Sequence, residues 1–252
     1  MSELFSIQLQ NQQQSRDGVW LDLPTTTEQV QAALRQIGIS SDNPQGLFIS
    51  GYFAEEEKRF AISYNMVLAS NVDELNFLAS RLETLSTGER AELNAALQAP
   101  QSELFSIGRI TDFPENVDYY VHLPDVHGPA QLGDYYLNRS GMVDMPEEWK
   151  GGIDTAQFGR YVAQQEQGVF TEYGYLVKSG DEWQKVHEGQ PVPEEYRVLS
   201  FPAPEVLRDS TNIPPPVQPE TEPQKVIPII LNGKDSTERM KEITDRLETG
   251  IQ

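Results

Sequence analysis

Along the first 180 residues of this 252-residue chain, short segments with apolar side chains at every second position follow, in mixed order, short segments with apolar side chains at helical spacing. This mixture of strand-like and helix-like segments is the feature that most constrains the fold. Residues 4–9 and 19–23 carry apolar side chains at alternate positions, as half-buried strands do. Residues 27–37 follow with apolar side chains at helical spacing, and Gly38 ends that pattern. Residues 47–53 return to a strand-like composition. Elements this short, in mixed order, predict an α+β fold.

Two further blocks repeat this alternation. Residues 71–82 and 86–97 each begin with a polar capping residue and an early glutamate, which predicts two helices. The next block contains strand patterns at 104–110, 119–123 and 168–177, and helix patterns at 131–140, from Pro146, and at 153–160. A short strand pair is predicted downstream from Trp183, Val186, Tyr196, Val198 and Phe201. The hexapeptide SELFSI occurs at residues 2–7 and 102–107, which suggests similar first strands.

These patterns divide the chain into small units. We expect an N-terminal α+β unit at 1–62, a helical middle unit at 63–100 and a C-terminal α+β unit at 101–208. Five prolines among polar residues at 209–224 predict a linker. Residues 225–252 contain a strand-like run and an amphipathic helix pattern, which we interpret as the start of a further domain.

The charge of the chain limits its partners. The formal net charge is −20 and the pI is about 4.4, so phosphate backbones and anionic membranes repel it. We therefore expect no direct binding to duplex DNA and no membrane association, while a basic protein surface would attract it. The sequence has no cysteine, no signal-peptide pattern and no membrane-length apolar run, which predicts a cytoplasmic protein.

No catalytic motif stands out in the sequence. Phosphate-binding, dinucleotide-binding, nucleophile-elbow and zinc-protease motifs do not occur. The three histidines, His122, His127 and His187, are expected to be structural or on the surface. We expect no enzymatic activity, no cofactor and no metal, and an unrecognised catalytic site around His122 and Asp125 remains an alternative.

Three segments together resemble the ArdA antirestriction family of bacterial mobile elements. The first is the run GVWLDLP at 18–24, and the second is VDELNFL at 72–78. The third and most specific combines LGDYY at 132–136 with the downstream pieces Ser140-Gly141, Met145-Pro146-Glu147, Ile153-Asp154 and Phe158-Gly159-Arg160. The resemblance covers about residues 4–178.

This resemblance implies a function for the acidic residues. Members of the family are elongated dimers whose carboxylates imitate DNA phosphates and occupy the DNA cleft of type I restriction–modification enzymes. Residues 1–99 contain 13 acidic and 6 basic side chains, and residues 100–180 contain 12 and 5, so the charge is spread along the matched region. The acids that we expect to form the mimic surface are Asp22, Glu28, Glu55, Glu56, Glu57, Asp73, Glu74, Glu83, Glu89, Glu92, Asp118, Asp134, Asp144, Glu147, Glu148 and Asp154.

Two features depart from the family pattern. The sequence has Ser50-Gly51-Tyr52-Phe53 where the family usually has an acidic segment, so reduced potency or another DNA-binding target is expected. The tail at 236–251 resembles the opening of the ArdC-type N-terminal domain, a single-stranded-DNA-binding module. The alternative function is therefore an acidic scaffold or interaction module of a larger DNA-processing protein of a mobile element.

Overall fold

The computed structural model describes residues 4–13, 17–40, 45–55, 59–100 and 102–199. The expected α+β class is confirmed, because helices accompany two small three-stranded antiparallel sheets. The predicted linker at 209–224 and the predicted tail at 225–252 lie outside the described residues.

The chain forms two compact units, and neither is continuous in sequence. The described residues of unit 1 fall within Met1–Ser86, Glu103–Glu115 and Lys185–Gln224. Those of unit 2 fall within Thr87–Ser102 and Asn116–Gln184. The division into three units that the sequence suggests stays a prediction.

A three-stranded sheet organises unit 1. Its strands are β1 (Phe5–Asn11), β2 (Val19–Leu23) and β3 (Leu47–Phe53), and β1 is the central strand. The buried residues of β1 alternate strictly with half-buried ones, as the apolar pattern predicts. The register of β1 against β3 shifts between Gln8 and Leu9, which marks a β-bulge.

Helix α1 (Thr27–Gln36) follows β2, and its first turn is fixed by local side chains. Thr26 is the N-cap, its hydroxyl accepts from the backbone N–H of Gln29, and the Gln29 side chain reaches back to the Thr26 backbone. The apolar stripe of α1 is buried and consists of Val30, Ala33 and Leu34. The capping residues and the stripe therefore explain both where α1 begins and which side is buried.

Three more helices complete unit 1, namely α2 (Tyr64–Leu68), α3 (Val72–Glu83) and α5 (Ile107–Thr111). The prediction of a strand at 104–110 is wrong, because α5 begins there. The hydroxyl of Ser106 accepts from the backbone N–H of Arg109 at 3.2 Å, which caps the helix.

The two copies of SELFSI therefore differ in structure. In the first copy, residues 5–7 belong to β1, whereas in the second Ile107 opens α5. The suggestion of similar first strands is wrong. Because the same residues adopt two conformations, the surrounding chain decides between strand and helix.

Unit 2 contains α4 (Thr87–Gln98) and a sheet of β4 (Tyr120–Leu123), β5 (Val169–Thr171) and β6 (Gly174–Lys178), in the order β4-β6-β5. The single strand predicted at 168–177 is in fact the hairpin of β5 and β6. Gly174 has a φ of +121°, and a Cβ there would lie 2.4 Å from the carbonyl oxygen of Leu123. The turn therefore requires glycine.

Helices α6 (Pro129–Asp134), α7 (Glu147–Lys150) and α8 (Thr155–Glu166) cover the predicted helix patterns of unit 2, and a π-helical turn continues α6. Gly133 of α6 and Gly159 of α8 lie where these two helices meet. A Cβ on Gly133 would lie 1.9 Å from the carbonyl oxygen of Thr155, and one on Gly159 would lie 1.8 Å from that of Pro129. Both glycines thus permit backbone contact between α6 and α8.

Residues 185–199 form an irregular segment of unit 1, which we call the strap. The strand pair predicted from Trp183, Val186, Tyr196 and Val198 is wrong for these residues, and Phe201 lies outside the described part. A single 3₁₀ turn at Glu194–Tyr196 is the regular structure assigned to the strap. Within the described part of the chain, no helix combines the length and apolar character needed to cross a bilayer.

Candidate acidic interface

Three of the proposed acids in unit 1 are exposed, namely Asp22 on β2, Glu28 on α1 and Glu55 after β3. Glu28 lies in the first turn of α1, where the positive end of the helix dipole favours a carboxylate. Its own backbone N–H and the Thr26 hydroxyl lower the pKa of Glu28, so this side chain is charged at neutral pH. Glu56 and Glu57 lie outside the described residues.

Glu74 and Glu83 are half-buried on α3, so they present less of their carboxylates to solvent. Glu74 also has a structural contact, since its carboxylate accepts from the backbone N–H of Asn71 at 3.3 Å. Asn71 in turn accepts from the backbone N–H of Glu74, which completes a capping box at the start of α3.

Asp73 has to be withdrawn from the proposed surface. It is 6% exposed, and its Oδ1 accepts from the backbone N–H groups of Val198 and Leu199 at 2.7 and 2.9 Å. Burial raises the pKa of Asp73, while these two amides and Arg197 oppose that change. Asp73 therefore anchors the strap to α3 and does not face solvent.

Five proposed acids of unit 2 are exposed, namely Asp118, Asp144, Glu147, Glu148 and Asp154. Asp154 also caps α8, because its side chain accepts from the backbone N–H of Gln157 at 3.0 Å. Glu147 and Glu148 lie in the first turn of α7. The helix end thus fixes the carboxylate of Asp154, while Glu147 and Glu148 stay exposed at the start of α7.

The other acids proposed in unit 2 are half-buried, namely Glu89, Glu92 and Asp134. Burial, with the nearby charges of Glu89 and Asp118, raises the pKa of Glu92 to about 8. Glu92 is therefore mostly uncharged at neutral pH and adds little to an anionic surface. Hydrogen bonds from Asn138 and Arg139 instead lower the pKa of Asp134.

Several basic side chains are neutralised by acids of their own unit. In unit 1, Arg81 pairs with Glu115, while Arg109 pairs with Glu103 at 3.0 Å and with Glu188 at 3.1 Å. In unit 2, the pairs are Arg139 with Asp134 at 2.7 Å and Lys150 with Glu147 at 2.9 Å. Arg81 and Arg109, which could interrupt an acidic surface, therefore carry compensated charges.

Two acids, one fully buried and one half-buried, have roles that the sequence did not suggest. Asp112 is fully buried, and its carboxylate accepts from the backbone N–H groups of Val186, His187 and Glu188 at 3.3, 2.6 and 3.2 Å. In unit 2, Glu166 accepts from the hydroxyls of Tyr136 and Tyr175, the latter at 2.8 Å. No spacing of residues in the sequence predicts either set of hydrogen bonds, because only the tertiary fold brings the partners together.

A cavity of about 390 Å³ in unit 1 lies between α2, α3, α5 and the strap. Its walls include Phe77 and Phe105, and its acidic groups are already bonded within the protein: Glu74 to the Asn71 amide and Glu188 to Arg109. His187, also in the wall, packs edge-on against Phe77, with ring centroids 5.0 Å apart. The lining residues therefore offer apolar volume more than acid–base chemistry.

The catalytic alternative around His122 and Asp125 gains no support. A ring nitrogen of His122, Nε2, lies 2.7 Å from the carbonyl oxygen of Tyr173, and Asp125 is exposed. No group of three or more His, Asp or Glu side chains with metal-binding geometry occurs among the described residues. His122 thus helps to hold the turn after β5.

Comparisons with known proteins agree with the resemblance seen in the sequence. No curated protein matches the chain. The family model described as antirestriction protein (ArdA) matches residues 13–177, which is more than half of the chain. That range includes β2, the bulged strand β3 and the helix pair α6 and α8 with its two contact glycines. The chain belongs to the ArdA antirestriction protein family.

Proposed function

We propose that this protein is a DNA mimic that occupies the DNA-binding cleft of a type I restriction–modification enzyme and so protects the DNA of a mobile element. The family gives the antirestriction role in general terms. The observation that carries the finer proposal is the exposure of carboxylates in both units, among them Asp22, Glu28, Asp144 and Glu148.

The electrostatics of the described residues support this mechanism. DNA clefts are lined with lysine and arginine, and fixed carboxylates on a partner accelerate encounter and complement those side chains. Helix ends position Glu28, Glu147 and Asp154. Arg81, Arg109 and Arg139 each pair with an acid of their own unit, and the net charge of −20 already includes their positive charges.

Competition for the enzyme tests the proposal. A type I methyltransferase complex is loaded with fluorescent duplex DNA at low salt, and the purified chain is titrated in. We expect displacement at stoichiometric protein, with an apparent affinity that falls as salt rises because the contacts are ionic. If a large excess of the chain at low salt leaves the DNA bound, the mimic proposal is wrong for that enzyme, and the scaffold role becomes the better explanation.

Matched variants separate a specific surface from net charge. Asp144→Asn, Glu147→Gln and Glu148→Gln together remove three exposed negative charges from the family region. Glu182→Gln, Glu194→Gln and Glu195→Gln remove three exposed charges beyond it. We expect the first set to weaken displacement about tenfold and the second about twofold. Equal losses would mean that net charge alone attracts the enzyme.

A homodimer is also proposed, on the strength of the family resemblance. Native mass spectrometry of the full chain at micromolar concentration should give twice the mass of one chain, which is 28.4 kDa. A monomer under those conditions would contradict this part of the proposal without affecting the competition experiment.

A further inference from the structure

The outer side of the unit 1 sheet carries exposed aromatic rings where polar side chains are expected. Trp20 on β2, Phe48 on β3 and Phe53 on β3 are 50%, 42% and 56% exposed. The other side of this sheet is buried and contains Ile7 and Leu9. Single exposed rings are common, but a group of them on one face marks a surface that binds something.

Trp20 reaches across the sheet because Gly51 leaves room for it. In the strand register Trp20 is opposite Gln8, and Gln8 is opposite Gly51. A Cβ on Gly51 would lie 3.0 Å from Cη2 of Trp20, so the indole reaches over β1 to β3. There it meets Phe53 edge-on, with ring centroids 6.4 Å apart.

A carboxylate lies in the neighbouring row of the same face. Asp22 is two residues after Trp20 and is opposite Ser6, which is in turn opposite Phe53. The Ser6 hydroxyl donates to Oδ1 of Asp22 at 2.6 Å and thereby orients the carboxylate. A carboxylate has capacity for several hydrogen bonds, so Asp22 can accept from a partner as well.

We propose that Trp20, Phe53 and Asp22 bind an arginine side chain of the protein partner. A guanidinium is planar, stacks on aromatic rings and donates in parallel to a carboxylate, whereas a lysine ammonium is a compact, strongly hydrated charge. The chain has a net charge of −20 and Asp22 is the acid of this face, so a positively charged side chain of a partner complements it. We name these three residues the aromatic–acid face.

This inference rests on the proposed function for the identity of the partner, because a DNA cleft is rich in arginine. It adds a contact that the mimicry of phosphates does not supply. Stacking on an indole persists at salt concentrations that screen carboxylate–arginine attraction at the surface. The contribution of the aromatic–acid face to the affinity should therefore fall less with rising salt than the contribution of the other exposed carboxylates.

Fluorescence of a single tryptophan tests the face directly. The chain has three tryptophans, and the substitutions Trp149→Phe and Trp183→Phe leave Trp20 as the reporter. The probes are two capped octapeptides of alternating glycine and arginine, or glycine and lysine, with equal charge. We expect the emission of Trp20 to change saturably with peptide concentration. The concentration that gives half of the change should be lower for the arginine peptide than for the lysine peptide, by about threefold or more. Asp22→Asn should reduce this preference, and Gln10→Ala, on the same face one row away, should not.

Several outcomes would overturn the inference. Equal responses to the two peptides would mean that the face attracts any positive charge and has no preference for arginine. An emission that does not change saturably would mean that the face binds neither peptide. A Trp20 emission that shifts with protein concentration alone would assign the face to a second copy of this chain.

The enzyme competition separates this inference from the proposed function. Suppose that the wild-type chain displaces DNA and that the Trp20→Leu variant displaces it as well as the wild type does, at low salt and at high salt. The proposal for the aromatic–acid face is then wrong, and the mimic proposal stands. If the wild-type chain fails to displace DNA while the arginine peptide is still preferred, the mimic proposal is wrong and the face remains. Equal far-ultraviolet circular dichroism of the variants excludes misfolding as the cause.

Discussion

Carboxylates that are fully or partly withdrawn from solvent are used differently in the two units of this protein. In unit 1, Asp73 and Asp112 accept hydrogen bonds from backbone N–H groups of the strap. In unit 2, Glu166 accepts from two tyrosine hydroxyls, and Oε1 of Glu92 has no hydrogen-bond partner among the described residues. The partners are therefore fixed main-chain amides in one unit and rotatable hydroxyls, or none, in the other.

This difference determines what each set of donors requires of its carboxylate. A backbone N–H can only donate, so the amides around Asp73 and Asp112 need an acceptor at all times. A tyrosine hydroxyl can rotate and accept, so Tyr136 and Tyr175 tolerate a protonated Glu166. Burial raises the pKa of Glu166, of Glu92 and also of Asp73, while the two tyrosine hydroxyls lower that of Glu166. An acidic protein thus contains carboxylates that maintain its fold beside those that face solvent.

Removal of Asp112 should give the largest effect. Asp112→Ala removes a fully buried carboxylate and leaves three partly buried strap amides without their acceptor, and we expect the free energy of unfolding to fall by about 4 kcal/mol. Urea denaturation followed by tryptophan fluorescence measures this loss. Hydrogen exchange should speed up at the amides of residues 186–188. Asp144→Ala, which removes an exposed acid, should cost less than about 0.5 kcal/mol, and equal losses for the two variants would contradict the anchoring role.

Removal of Asp73 should cost somewhat less. Asp73→Ala leaves the backbone N–H groups of Val198 and Leu199 without their acceptor, and we expect a loss of about 3 kcal/mol in the free energy of unfolding. The neighbouring Glu74→Gln keeps an acceptor oxygen for the capping box at Asn71 and should change stability by less than about 1 kcal/mol. A larger loss for Glu74→Gln than for Asp73→Ala would mean that Asp73 does not hold the strap.

In unit 2, Tyr175→Phe tests the hydroxyl contacts. It removes one donor to the Glu166 carboxylate and keeps the ring that packs against Phe170, with centroids 4.9 Å apart. We expect a loss of about 2 kcal/mol at pH 8, because a half-buried charged acceptor loses one of its donors. The loss should be smaller at pH 4, where Glu166 can be protonated. An equal loss at both pH values would show that Glu166 stays ionised throughout.

Local signals in the sequence identified much of this fold. The strands at Val19–Leu23 and Leu47–Phe53 and the helix at Val72–Glu83 follow from period and capping residues that lie within a few positions of each other. The second copy of SELFSI shows that such local signals do not always predict the structure. Its sequence equals that of the first copy, yet the Arg109–Glu188 ion pair and the capping by Ser106 belong to a helix.

The acidic residues were harder to assign, for the same reason. From the sequence, Asp73 has the features of a helix-opening acid that faces solvent, and its true partner, Val198, lies 125 positions away. Asp112 and Glu166 likewise have partners supplied by the tertiary fold. Exposure of the acids at helix ends, such as Glu28 and Asp154, could be predicted because capping places them at the surface.

Glu92→Gln should give the smallest effect and the opposite sign. The pKa of Glu92 is raised from 4.5 to about 8 by burial and by Glu89 and Asp118, so the folded chain holds a proton that the unfolded chain releases above pH 4.5. The stability that comes from this proton is complete below pH 4.5 and is lost as the pH rises through 8. Glutamine resembles the protonated acid, so the variant should match the wild type at pH 5 and be more stable by on the order of 1 kcal/mol at pH 9. Glu148→Gln, at an exposed position, should show no such trend, and a Glu92→Gln variant whose stability relative to the wild type does not rise between pH 5 and pH 9 would mean that the charge of Glu92 costs the fold nothing.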